Sequence, residues 1–406
     1  MKSYVIDTNV ILYDPESIHA FSDSKVIIPL TVLKEIDTFK NGTETNNFNA
    51  RSFIRDVDKN NYEWLILDGY EVPEDYTNDE KILHVAKLSG SILVTKDISL
   101  RTIAKASSVE VQDYENENLT QPSKLYKGYR TVRGLTKGVI DTIYSEGFLD
   151  KIEQVKDPVP NEYFTLKAGK QSALCQYSKE EDKYLLIQSQ SVFGITPRNA
   201  EQIFALDALT DPNIPLVTMT GKAGTGKTLI ALVAALSLKK EYRKILVARP
   251  TVDLGKGIGF LPGDINDKVA PYLQPIFDNL DVIASVQPNN GKTGKEKIKE
   301  LMDSDKIQIE ALNFIRGRSL PKVFFIIDEA QNLSPHEIKT IVTRAGEETK
   351  IVLIGDIEQV DTPYLDSKSN GLNYLINVMR NESISAHIHL KDGQRSELAE
   401  VASNKL

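Results

Sequence analysis

The run MTGKAGTGKTLIAL at residues 219–232 fills the pattern GxxxxGK[ST] with Gly221, Gly226, Lys227 and Thr228. An apolar run, PLVTM, precedes it and a helix-like run, LIALVAALSL, follows, so the context is strand, loop, helix. An ordinary Gly-rich turn needs neither flank. The loop Gly221, Lys222, Ala223, Gly224, Thr225 and Gly226 can close backbone N–H groups around phosphate oxygens, and the helix N-terminus adds the positive end of its dipole. Lys227 would reach the β and γ phosphates and Thr228 would ligate magnesium. The chemistry expected is binding of ATP, or GTP, with Mg2+.

Downstream, VFFIIDEAQN at residues 323–332 reads as an apolar strand ending in two acids. Beside a phosphate loop, Asp328 would hold the magnesium through a water and Glu329 would polarise the attacking water, turning binding into hydrolysis. A third strand, KIVLIGDIEQVD, ends in Asp356 and Gln359, a polar tip suited to sensing the γ-phosphate.

A second set of acids lies near the N-terminus: Asp7 in VIDTN, Glu35 in LKEID, Asp79 in TNDEKIL and Asp97 in LVTKD. Strand ends and helix starts share one edge of a parallel α/β sheet, so the four can meet. Singly, each reads as a solvated cap or loop charge. As a set they pose an electrostatic problem, because two carboxylates at 4 Å repel by about 4 kcal/mol at an effective dielectric of 20. A dry cluster therefore takes up protons or cations, and Mg2+ or Mn2+ suits four oxygen donors. Such ions activate water for phosphodiester hydrolysis. The histidines offer no alternative site: His19, His84 and His336 are scattered, and His387 and His389 lack a third ligand.

A third stretch, KLYKGYRTVRGLTKG, interleaves Lys124, Lys127, Arg130, Arg133 and Lys137 with Tyr126 and Tyr129. Cations that track phosphates and rings that stack bases are the means of single-strand binding; a soluble basic strand and turn has the same composition. Arg316 and Arg318 in FIRGRSL are a second candidate contact.

The elements that must position these groups follow from patterning. Residues 1 to about 113 alternate short strand-like and helix-like runs, which implies a parallel sheet. DYENENLTQPSK is polar, acidic and proline-terminated and reads as a linker. From Lys124 to about Ile195, short alternating runs (YRTV, GVIDTIY, EYFTLKA, ALCQYS, DKYLLIQSQ) suggest a small β-rich domain, barrel-like in outline. From Thr196 onward βα alternation returns with the phosphate loop. The expected fold class is thus α/β: a parallel-sheet domain over 1–113, a linker and β-rich region over 114–195, and a P-loop domain over 196–406.

Composition narrows the class. The 406 residues are 41% hydrophobic and 26% charged, with a net charge of −8, so a nucleic-acid site must be a local basic patch. Cys175 is the only cysteine, which excludes an internal disulfide framework and a CxxC metal site and suits a small core filler. The opening MKSYVIDTNV carries Asp7 inside its apolar run, which speaks against a signal peptide. No stretch reaches the ~18 apolar residues of a membrane span. A cytoplasmic location is expected.

Taken in order, TPRNAEQ at residues 196–202, GKAGTGKT, DEAQ and GDIEQ resemble superfamily-one helicases. In those an upstream glutamine contacts the adenine, and Gln202 occupies that position. ARPTVDLGKGIGFLPGD at 248–264, FIRGRSL and GQRSELAE are more closely similar to the PhoH ATPases. The four acids, with DTN and VTKD around two of them, resemble the PIN-domain nucleases, in which Asn9 and Thr95 would steady the cluster. Together these features resemble the PIN-PhoH fusion family, with a single RecA-like domain. The resemblance implies an RNA-unwinding ATPase and ribonuclease whose ATP hydrolysis moves single-stranded RNA toward a metal-dependent endonuclease. Only 47 residues follow Gln359, fewer than the ~100 to 150 of a second helicase lobe. A homo-oligomeric ring, hexameric by expectation, would then supply an arginine finger in trans, and Arg395 in GQRSE is the candidate, though a surface arginine capping a last helix fits the same position. An antitoxin partner stays open. So do two other functions: an ATP-driven RNA-binding switch with a non-catalytic PIN tether, and a small-molecule kinase, for which no acceptor domain is evident.

Overall fold

The structure, a computed structural model, describes residues 2–41, 45–114, 126–250, 265–287, 292–312, 320–362 and 370–391. Lys124, Arg316, Arg318 and Arg395, with residues 251–264 of the ARPTVDLG run, lie outside the described residues. The chain forms two compact units, Met1–Leu119 and Thr120–Leu406.

The first unit runs β1 (Ser3–Ile6), α1 (Thr8–Tyr13), β2 (Lys25–Ile28), α2 (Leu30–Thr38), α3 (Thr45–Lys59), β3 (Leu65–Leu67), α4 (Asn78–Ser89), β4 (Ile92–Val94), α5 (Ile98–Ala106) and β5 (Val111–Gln112). The strands are parallel in the order β3-β2-β1-β4-β5. Val5, Ile6, Val26, Ile28, Leu93 and Val94 are fully buried, as strands covered on both faces require. Strand order reverses between β1 and β4, the kind of switch point at which α/β sheets bind ligands. Helix α4 starts in a capping box, Thr77 and Glu80 each bonding the other's backbone N–H, and this fixes where its first-turn Asp79 stands.

The second unit opens with β6 (Tyr129–Val132), α6 (Lys137–Glu146), β7 (Phe148–Leu149), β8 (Tyr163–Ala168), β9 (Gln171–Ser178) and β10 (Lys183–Ile187). These strands form one sheet, β6-β8-β9-β10-β7, antiparallel except for β6 with β8. It is an open sheet rather than the barrel-like outline expected, and GVIDTIY is helix α6, not a strand. Ile140 and Ile143, three apart, are the residues this helix buries, so a helical period hides in a short β-branched run. Cys175 fills the core beneath, and burial pushes its thiol up to about 12.

The chain continues through α7 (Ala200–Thr210), β11 (Leu216–Gly221), α8 (Lys227–Ser237), β12 (Lys244–Arg249), α9 (Ile265–Ser285), α10 (Gly294–Asp303), β13 (Ile307–Ala311), β14 (Val323–Ile327), α11 (Pro335–Val342), β15 (Lys350–Gly355), α12 (Gly371–Met379) and β16 (Ser385–Leu390). The sheet is wholly parallel in the order β13-β12-β14-β15-β11-β16. In β14 no residue of VFFII exceeds 4% exposure. Burying each such side chain contributes about 1.5–3 kcal/mol, which anchors the acids that follow. The smaller sheet is fastened to this one. Tyr163 of β8 stacks on Phe204 of α7 at 4.9 Å and donates to Asp207 at 3.1 Å, while the His389 N–H donates to the Lys127 carbonyl at 2.9 Å.

Candidate functional sites

The phosphate loop leaves β11 at Gly221 and enters α8 at Lys227. Two glycines are required by geometry. Gly226 caps α8 at φ 87°, a left-handed conformation, and a Cβ on Gly221 would lie 2.2 Å from the Leu390 carbonyl oxygen of the neighbouring strand. Lys227 donates from Nζ to the carbonyls of Gly221 at 2.6 Å and Lys222 at 3.0 Å, so its ammonium sits over the loop. Thr228 Oγ1 donates to Asp328 at 3.3 Å, joining the expected magnesium ligand to the acid at the end of β14.

These groups line one cleft of about 230 Å³ with Ala223, Gly224, Arg249, Asn279, Glu329, Asp356 and Gln359. Asp328 is 5% exposed, and its pKa is pushed up to about 6 by burial and then by Glu329, against the cations Arg249 and Lys227. Oxygen donors on Thr228 and Asp328, with Lys227 beside them, fit a magnesium–nucleotide complex.

Three residues of this site were not singled out from sequence. Arg249 bonds Glu329 Oε1 from Nη2 at 2.9 Å. Gln331, the last letter of DEAQ, donates from Nε2 to Glu329 Oε2 at 2.7 Å and to the Gln359 carbonyl at 2.9 Å, and accepts the Asp356 N–H at 3.1 Å. It thereby ties the tip of β14 to the tip of β15. Asn279 of α9 completes the wall. Both Arg249 and Gln331 lie inside runs that resemble the family, but only the fold brings them to the acids.

Gln202, the residue expected at the adenine, is engaged within the chain. Its Oε1 accepts the Arg198 N–H at 2.8 Å and its Nε2 donates to the Thr225 carbonyl at 3.2 Å, so the buried amide braces the phosphate loop. His387 and His389 share one face of β16 and bond Thr218 and Thr220 of β11. Burial pulls the His387 pKa down to about 3, which fits a neutral core ring.

In the first unit Asp7 follows β1 and caps α1, accepting the Thr8 N–H at 2.6 Å. Thr95, fully buried at the end of β4, donates to Asp7 Oδ2 at 2.5 Å. Asn9 Nδ2 donates to Thr95 Oγ1 at 3.2 Å, and Thr95 Oγ1 also accepts the Asp97 N–H at 3.0 Å. Asp97 caps α5 through the N–H groups of Ser99 and Leu100. Glu35 accepts from Thr8 Oγ1 and, at 2.6 Å, from Asn78 Nδ2 beside Asp79. Neither Thr8 nor Asn78 was expected from sequence.

The acids share an electrostatic field. The Asp7 pKa is pushed up to about 6, chiefly by burial, with Asp79 and Glu35 adding to the rise. Asp79 is raised by burial and then by Asp97 and Glu35. The donor set is all oxygen and short of protein cations, which fits Mg2+ or Mn2+. As the side chains stand, no three acidic, histidine or cysteine groups among the described residues are grouped tightly enough to hold an ion. Glu35 is turned onto Thr8 and Asn78 instead.

The basic stretch is only partly available. Arg130 forms a two-pronged pair with buried Glu162 at 2.8 and 2.6 Å and lies over the Phe164 ring. Tyr129 packs on the core of the P-loop sheet and Tyr126 carries Arg380 on its face. The stacking rings expected for RNA are thus committed inward, because β6 must cover hydrophobic surface. Lys127 and Arg133 are exposed.

Residues 194–404 match the family model described as PhoH-like protein, and residues 4–115 match that described as PIN domain. The chain is 38% identical over 447 aligned positions to Protein PhoH2 of Bacillus subtilis (strain 168), covering 100% of both. It is 29% identical to Protein PhoH2 of Thermobispora bispora, over 100% of this chain and 96% of that protein. A PhoH-like protein of Bacillus subtilis is 41% identical over 36% of this chain and 44% of its own length. The chain belongs to the PIN-PhoH fusion family, a PIN domain joined to a PhoH-like P-loop domain.

Proposed function

We propose that this protein is an ATP-driven RNA translocase, or unwinding enzyme, coupled to a metal-dependent endoribonuclease. The observation that carries the reading is the coexistence of two phosphate-directed sites in one chain. One is the cleft of Lys227, Thr228, Asp328 and Glu329, where cations from the protein stand ready for a nucleotide. The other is the acid set Asp7, Glu35, Asp79 and Asp97.

At the first, the loop amides and Lys227 bind the phosphates, Thr228 and Asp328 hold Mg2+, and Glu329 takes the proton of the attacking water. The ion would there neutralise charge on the phosphates. At the second, the four acids would hold Mg2+ or Mn2+, and the ion would supply an activated water for phosphodiester cleavage. Single-stranded RNA is the substrate of this reading, with Lys127 and Arg133 as contacts and Lys124, Arg316 and Arg318 as further ones. A homo-oligomeric ring in which Arg395 of a neighbouring copy completes the ATP site belongs to it. Mixing inactive Lys227→Ala and Arg395→Ala proteins should then restore ATPase activity, whereas an Arg395 acting within its own copy leaves the mixture inactive. The experiment that tests the function itself is cleavage of unstructured RNA with and without Mn2+, alongside ATP hydrolysis with and without RNA.

A further inference from the structure

Arg249 ends β12 and projects into the nucleotide cleft, where it meets two kinds of partner. One is the Glu329 carboxylate, 2.9 Å from Nη2. The other is the cleft itself: with Lys227, Arg249 is one of the two cations whose charge reaches Asp328. Nη1 is steadied by the Tyr272 carbonyl of α9 at 3.2 Å, leaving Nη2 as the carboxylate-facing prong.

Glu329 is held on both oxygens, by Arg249 on Oε1 and by Gln331 on Oε2. The two restraints differ in how readily they can let go. Gln331 is fully buried and engaged with Asp356 and Gln359 of the next strand's tip. The Arg249 side chain is 21% exposed and faces the space a nucleotide would fill. A guanidinium prefers a phosphate or a carboxylate through the same forked geometry, so a terminal phosphate entering the cleft competes directly with Glu329.

We propose that Arg249 is a positioning residue that exchanges the Glu329 carboxylate for the terminal phosphate of ATP, so that a triphosphate frees Glu329 to face the attacking water. The inference rests on the reading of this cleft as an ATP site. A diphosphate lacks the group that draws Arg249 away, so the exchange distinguishes ATP from ADP.

The test is a double-mutant cycle on the full-length protein, measuring the affinity of a non-hydrolysable ATP analogue and of ADP by calorimetry. Glu329→Gln removes the competing charge and should tighten the triphosphate about tenfold, equivalent to about 1.4 kcal/mol. ADP affinity should change by less than about twofold, no more than the spread of non-interacting sites. In an Arg249→Gln background the gain should vanish, and Arg249→Lys, which keeps the charge without the fork, should retain part of it. The lysine variant also serves if Arg249→Gln loosens the fold. A gain that persists without Arg249, or that ADP shares, overturns the exchange and leaves a structural ion pair. A wild-type protein that binds neither nucleotide removes the ATP-site reading and the inference with it.

Discussion

Asp328 in the P-loop unit and Asp7 in the PIN unit are both buried acids whose pKa is pushed up to about 6, yet their neighbours differ. Asp328 faces Lys227 and Arg249, cations fixed by the fold, which pull against its burial. Asp7 is opposed only by hydrogen bonds from Thr95 and Thr8, while Asp79 and Glu35 add to its rise. The first site carries its own positive charge, and on the proposed reading a nucleotide completes it, whereas the second would draw cations from solvent. Catalysis at the two sites should therefore fail independently, and only the PIN unit should change stability with divalent ions.

The largest effect expected is on ATP hydrolysis. Lys227→Ala removes the phosphate-facing cation and should lower the ATPase rate by at least about a hundredfold, as loss of one preorganised transition-state contact does. Metal-dependent cutting of unstructured RNA should survive. Full loss of that cutting in a folded variant breaks the separation.

The mirror substitution is Asp97→Asn. Asparagine keeps the α5 cap, since it can still accept from Ser99 and Leu100, but it lacks the charge. RNA cleavage should fall by at least roughly a hundredfold, because losing a direct ligand costs more than the ~10- to 100-fold seen when only a ligand's supporting partners are disturbed. ATP hydrolysis should be unchanged; a parallel loss of ATPase counts against the comparison.

A third effect is on stability. Asp7 has its folded pKa raised from 3.8 to about 6, so between these values the native state holds a proton that the unfolded chain releases. Stability of the PIN unit is then greatest at low pH within this window and declines by on the order of 3 kcal/mol as pH rises through it. Trp64, the chain's single tryptophan, lies in this unit and reports its unfolding in urea. The wild-type midpoint should fall as pH rises from about 4 to about 6.5 and recover on adding Mn2+ at neutral pH, and the fall should be smaller in Asp7→Asn, where raised Asp79 still titrates. A midpoint indifferent to pH and to manganese contradicts a cation-seeking cluster.

The smallest effect separates the basic residues. Lys127→Ala and Arg133→Ala should each reduce the salt dependence of RNA binding by a slope of about 0.7, the single-strand value per phosphate contact. Arg130→Ala should instead loosen the smaller sheet by stranding buried Glu162. Equal effects of all three on the salt slope would return Arg130 to the RNA surface.

What was legible in sequence follows from what chemistry demands at short range. The phosphate loop, Asp328 with Glu329, and the strand-end positions of Asp7 and Asp97 are fixed by residue identity at set offsets from a strand or helix, and these offsets survive in the fold. The partners that decide behaviour come from far away in the chain. Arg249 meets Glu329 from another strand, Thr8 meets Glu35, and Arg130 meets Glu162. Local patterning holds no trace of such pairs. It also misleads where a short run is rich in β-branched residues, as in GVIDTIY, whose Gly147 C-cap and Ile140–Ile143 spacing outweigh its strand-like composition. Interleaved Tyr126 and Tyr129 suggested base stacking because composition does not reveal which face a strand buries.

The central claim is that nucleotide chemistry in this chain serves RNA. The direct measurement is the steady-state ATPase rate of the full-length protein as single-stranded RNA is titrated in, with Lys227→Ala as the background. The account predicts a rate that rises with RNA and saturates as the RNA does. A rate unchanged while RNA is demonstrably bound would contradict it.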